Sequence, residues 1–86
     1  EKKCYITGAE NVPLHRHHIY PGNPGRRISE ENGFWIWLVP ELHNMSNMGV
    51  HFNKELDLRI RRDCQRKFEE THTREEFMRL IGKNYL

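Results

Sequence analysis

The sequence predicts a small α+β domain: two short strands joined by a long loop, then helix. Three observations predict it. Phe34-Trp35-Ile36-Trp37-Leu38-Val39 is an unbroken run of aromatic and β-branched residues, the composition that suits a pleated surface. Pro21-Gly22-Asn23-Pro24-Gly25 precedes it, and each of those residues punctuates regular structure. Leu56, Ile60, Cys64 and Phe68 then recur at four-residue spacing, one buried stripe on a helix.

The elements follow in order. Cys4-Tyr5-Ile6, closed by Thr7-Gly8, reads as a strand end or knuckle. Leu14 to Tyr20 reads as the first strand, with Leu14, Arg16, His18 and Tyr20 on one face and His15, His17 and Ile19 on the other. Residues Pro21 to Arg27 read as a loop, and Ser29-Glu30-Glu31 as one capped turn. The Phe34–Val39 run is the second strand. It is apolar on both faces, so both faces should be covered. From Pro40 the chain turns into a short helical segment through His43 and Asn47, stopped by Gly49. Asn53 caps a long helix from about Lys54 to Glu70. Thr73-Arg74-Glu75-Glu76 has the form of a capping box and opens a last helix, Arg74 to Ile81, with Gly82 as its stop.

All 86 residues make one domain, with residues 1–52 as the strand-and-loop half and 53–86 as a helical tail. A chain this short buries only about 60% of its unfolded surface, so its core is thin. With 36% hydrophobic and 30% charged residues, it has the composition of a soluble protein. It has no apolar run near the roughly 18 residues of a membrane helix and no signal-peptide pattern. The abrupt start at Glu1 leaves open an excised fragment whose N-terminal address is out of view. Two cysteines, far apart, are too few for a disulfide framework and read as reduced thiols of a cytosolic protein. The net charge of +2 does not by itself indicate nucleic acid. Arg26 and Arg27 sit together in the loop, where they can meet phosphates or be incidental surface charge. Arg59, Arg61, Arg62, Arg66 and Lys67 are interleaved with acids and read as a solvated helix face.

The chemistry-bearing residues are histidines. His15, His17, His18, His43 and His51 all precede the helical half. Adjacent His17 and His18 in a strand point to opposite faces, so they take two roles. His43, Asn47 and His51 are spaced four and four and share a face if that segment is helical, although Gly49 makes continuous helix doubtful. Metal-assisted phosphodiester hydrolysis needs groups that bind a divalent ion, a separate imidazole to deprotonate water and a polar group to fix that imidazole.

His17-His18-Ile19, a strand ending at Leu38, and His43-Asn44 together resemble the HNH endonucleases. The run from Gly33 to Phe52, ending in Gly49-Val50-His51-Phe52, resembles small HNH-like proteins of phage and prophage origin. The resemblance spans about Cys4 to Phe68. It implies the ββα-metal (His-Me finger) fold with a C-terminal helical extension, DNA as substrate, and the cytoplasm of a bacterial host. It makes His18 the general base and His17 and His43 ligands to Mg²⁺, Mn²⁺ or Zn²⁺, with His51 or Asn47 completing the shell and His15 in reserve. Asn44 orients or ligates. Asn32 is the nearest candidate for the asparagine that positions the base, although Phe34 occupies the counted position. The structural zinc knuckles of many HNH proteins are dismantled here. Of Cys4, Thr7, Val39 and Leu42 only Cys4 is a ligand type, so no structural zinc is expected and a small apolar cluster should replace it. Trp35 and Trp37 read as core, with base stacking as the alternative, while Cys64 and His72 read as structural. A catalytically silent nucleic-acid-binding or interaction module with the same fold is the alternative function.

Overall fold

The computed structural model describes residues 2–43, 49, 50 and 52–86. Among these it is an α+β structure with a two-stranded antiparallel sheet and four helices. The elements are β1 (His15–His18), α1 (Gly25–Asn32), β2 (Trp35–Leu38), α2 (Pro40–His43), α3 (Lys54–Phe68) and α4 (Arg74–Ile81). Asn44, Asn47 and His51 lie outside the described residues.

The register pairs His15 with Leu38, Arg16 with Trp37, His17 with Ile36 and His18 with Trp35. Both strands are shorter than the sequence predicts, because their ends are bonded elsewhere. Beyond β1, the Tyr20 N–H donates to Ser29 Oγ (3.2 Å) and the Ser29 hydroxyl donates to the Tyr20 carbonyl (3.0 Å). After β2, the Val39 carbonyl accepts from Leu42 N (3.0 Å) and His43 N (3.1 Å), which starts α2.

The expected loop over Pro21–Arg27 and the single turn at Ser29–Glu31 are replaced by α1, an eight-residue helix. Arg26 N donates to the Gly22 carbonyl and Ile28 N to the Pro24 carbonyl, so proline and glycine here open a helix. Pro24 fits at such a start, since it lacks only an N–H the helix would leave unpaired. A Cβ on Gly25 would meet the Tyr20 carbonyl oxygen at 2.8 Å, so that glycine permits the close approach. Gly33, left-handed at φ 71°, closes the helix. The charge spacing Arg26–Glu30 and Arg27–Glu31 is that of helix neighbours.

The helical half follows the sequence. Asn53 accepts from Leu56 N (3.1 Å) at the start of α3. Thr73 and Glu76 form the reciprocal capping box, and Gly82 ends α4 at φ 83°. Ile60 and Phe77 are fully buried, while Leu56, Cys64, Phe68, Leu80 and Ile81 pack around them. Phe34, Phe68 and Phe77 meet at ring separations of 5.5 to 6.2 Å, and Tyr20 joins Phe34 and Phe77. Val39 and Leu42 pack against the buried cluster that includes Cys4. His72 stacks on Phe68 at 4.2 Å.

Among the described residues, Trp35 and Trp37 are only partly buried, on the face opposite the one that buries Leu38.

Ser29 is fully buried and satisfies both main-chain groups of a buried residue. Replacing it with alanine leaves those groups unpaired, which costs about 1–3 kcal/mol. Urea unfolding of Ser29→Ala should show a lower midpoint with an unchanged slope; an unchanged midpoint would refute the bracket's contribution.

Candidate functional site

The two-residue period of β1 divides the candidate residues between the sheet's faces. On the inner face, His15 and His17 oppose Leu38 and Ile36. His17 is 3% exposed. α2 begins as soon as β2 ends and brings His43 onto this face. The His17 and His43 rings lie 5.3 Å apart and the His15 and His43 rings 5.1 Å apart, all edge to face. His15 Nδ1 lies 3.0 Å from His43 Nδ1. Two nitrogens at that distance share one proton, so one donates and the other accepts.

Three imidazoles from two elements form a nitrogen donor set suited to Zn²⁺ and other transition ions. Among the described residues, no group of three His, Cys, Asp or Glu side chains is already arranged to hold an ion. The Nδ1 atoms of His15 and His43 are directed at each other. The donor chemistry fits a metal, and ligation through either Nδ1 would open that contact, with the ring's proton held on Nε2. The expected further ligands His51 and Asn47, and the orienting Asn44, lie outside the described residues.

On the outer face, Arg16 and His18 converge on one carboxylate. Arg16 Nη1 is 2.8 Å from Glu30 Oε1, and His18 Nε2 is 2.5 Å from Glu30 Oε2. The His18 hydrogen bond, with the positive charge of Arg16, holds the Glu30 carboxyl below its ordinary range. Arg27 pairs with Glu31 one turn along its helix. Arg16, His18, Arg26, Arg27, Glu30 and Glu31 line one open groove. The structure therefore places Arg26 and Arg27 beside His18, on α1 rather than in a loop. His18 faces α1 and does not join His17 and His43.

Asn32 is exposed, and its amide donates to the Ile28 carbonyl of its own helix (2.9 Å), a local bond that competes with a longer reach. Glu30 and Arg16 are the site residues that sequence reasoning missed. The four-residue spacing of Arg26 and Glu30 was the available signal, and it was masked by reading Ser29–Glu31 as a turn.

At the knuckle, burial acts to raise the Cys4 thiol. Hydrogen bonds from Thr7 and from neighbouring main chain outweigh it, so the thiol lies below its ordinary value. Cys64 is pushed by burial up to about 11. Both are free thiols.

Glu30 generates a pH prediction. Its carboxyl is depressed in the folded state relative to the unfolded chain, so the stability it contributes is present above the unfolded value. That contribution is lost as pH falls through the folded value. Glu30→Gln should therefore narrow its stability difference from wild type as melting temperatures are measured at progressively more acid pH. A constant difference across that range would exclude the linkage.

No protein-family model matches the chain, and comparisons with curated proteins and with solved structures likewise found no match.

Proposed function

We propose that this chain is a metal-dependent nuclease domain of the HNH (ββα-metal) type that hydrolyses DNA phosphodiester bonds, as the sequence resemblance implies. The observation that carries the reading is the meeting of His17 from β1 with His43 at the end of α2, rings 5.3 Å apart, in a chain that runs β1, α1, β2, α2. His17 and His43 would hold the divalent ion, with the remaining donor drawn from His15, Asn47 or His51. When bound, the ion neutralises charge on the phosphate and the leaving oxygen.

The protein's own groups supply the rest. His18 is engaged with Glu30 through Nε2, which fixes the ring and leaves Nδ1 to accept a proton from water. Glu30 is the positioning residue for that base. Because His17 and His18 point to opposite faces, the scissile phosphate belongs at the edge of β1 that does not pair with β2, where groups from both faces can reach it. Arg26 and Arg27 place the flanking phosphates along the groove. The silent-module reading draws its support from the His15–His43 contact, which closes the imidazole cluster by hydrogen bonding alone.

A plasmid-cleavage assay with Mg²⁺, Mn²⁺ and Zn²⁺, paired with calorimetric metal titration, separates the two readings. His18→Ala should lower turnover by about 10²–10⁴ and leave metal affinity nearly intact. His17→Ala and His43→Ala should weaken metal binding, and excess metal should restore part of their activity. Metal binding by the wild type with no cleavage under any ion would establish the silent module. Equal loss of metal from the His17 and His18 variants would overturn the division of roles.

A further inference from the structure

The outer face of the sheet carries an arrangement that hydrolysis does not require. Cross-strand pairing puts Arg16 beside Trp37 and His18 beside Trp35. The two indole rings meet edge to face at 5.5 Å. The Arg16 guanidinium lies over Trp35 at 4.1 Å and within 5.5 Å of Trp37, and the Lys2 ammonium lies over Trp37 at 4.5 Å. Both tryptophans are only partly buried. With Lys3 and Tyr5 they line a second open groove between the sheet and the knuckle, and Tyr5 is 47% exposed.

Cations alternating with partly exposed aromatic rings are what a flexible polyanion carrying planar bases recognises: the rings take bases and the cations take phosphates. We infer that this face binds single-stranded nucleic acid, with Trp35 and Trp37 as the stacking platform and Lys2, Lys3 and Arg16 as the phosphate contacts. A duplex keeps its bases stacked inside and offers these rings nothing to stack on. A protein partner fits less well, because interface centres are depleted in lysine and here Lys2 and Lys3 flank the aromatic rings. The inference needs neither a metal nor cleavage, so it stands or falls apart from the nuclease reading.

The chain has two tryptophans, and both lie on this face, so intrinsic fluorescence reports on it directly. The test titrates the intact chain, in chelator, with a mixed-sequence DNA strand of about 12 nucleotides, with the matched duplex, and with poly-glutamate as a polyanion without bases. The single strand should quench the fluorescence and bind at least about tenfold tighter than the duplex, with affinity falling as salt rises. Arg16→Gln and Lys2→Gln should each weaken binding and flatten the salt dependence. Trp37→Leu should reduce affinity at least about fivefold, the lower end for one stacked base. Circular dichroism selects the variants that keep the fold, and the two charge variants carry the test if Trp37→Leu does not. Binding without quenching, equal affinity for strand and duplex, or equal quenching by poly-glutamate would each overturn the inference, the last in favour of an acidic protein partner.

Discussion

The register of β1 against β2 is the constraint on which the candidate sites depend. Side chains alternate faces along a strand, so a slip of one residue would exchange every inner group for an outer one. His15 and His17 would leave His43, and Arg16 and His18 would enter the core. Several contacts oppose the slip. Leu38 is fully buried opposite His15. Ile19 N donates to the Phe34 carbonyl at 2.9 Å just past the ladder. The Ser29 hydroxyl then brackets both main-chain groups of Tyr20. A two-stranded sheet is marginal alone, so the bracket from α1 and the Tyr5 N–H donated to the Trp37 carbonyl (2.8 Å) supply support that a third strand would otherwise give.

Stability is concentrated away from the histidines. Tyr20 leaves β1 and enters an aromatic group with Phe34, Phe77 and Tyr85, while its hydroxyl donates to the Arg61 carbonyl on α3 at 2.8 Å. Gln65, fully buried, donates to Glu69 and Asn84 and accepts from the Tyr85 main chain, which ties the last residues to α3. The helical tail contributes Ile60, Gln65 and Phe77 to the buried residues and is not an appended arm.

Legibility in the sequence followed the range of the interactions. The caps at Asn53, Thr73 and Gly82 are local, satisfied within a few residues, and are legible in the sequence as caps, with the Glu76 partner of Thr73. Strand alternation is local too, and it correctly set His17 and His18 on opposite faces. α1 was hidden because its start is stabilised by tertiary contact: Gly25 is there to pass the Tyr20 carbonyl, and no neighbour in sequence announces that. Glu30 was hidden for the same reason, since its partners Arg16 and His18 lie 14 and 12 residues away. Trp35 and Trp37 were read as core by composition. Their real cover, the side chains of Arg16 and Lys2, is visible only once the cross-strand register and the path of the N-terminal segment are known.

The outer groove is nearly balanced in charge, and that balance bears on how it would meet a polyanion. Arg16 and Arg27 are paired with Glu30 and Glu31. All four side chains are substantially exposed, so solvent screens both pairs and each contributes little. Such pairs hold the arginines in place without committing them. A phosphate can take over an arginine from its carboxylate at little net expense, because the carboxylate regains water. Glu30 is the exception, since it is also bound by His18. Losing Arg16 to a phosphate would leave His18 as its remaining close partner. Phosphate contact at Arg16 would then strengthen the hold of Glu30 on the His18 ring, which links occupancy of the groove to the orientation of the imidazole beside it.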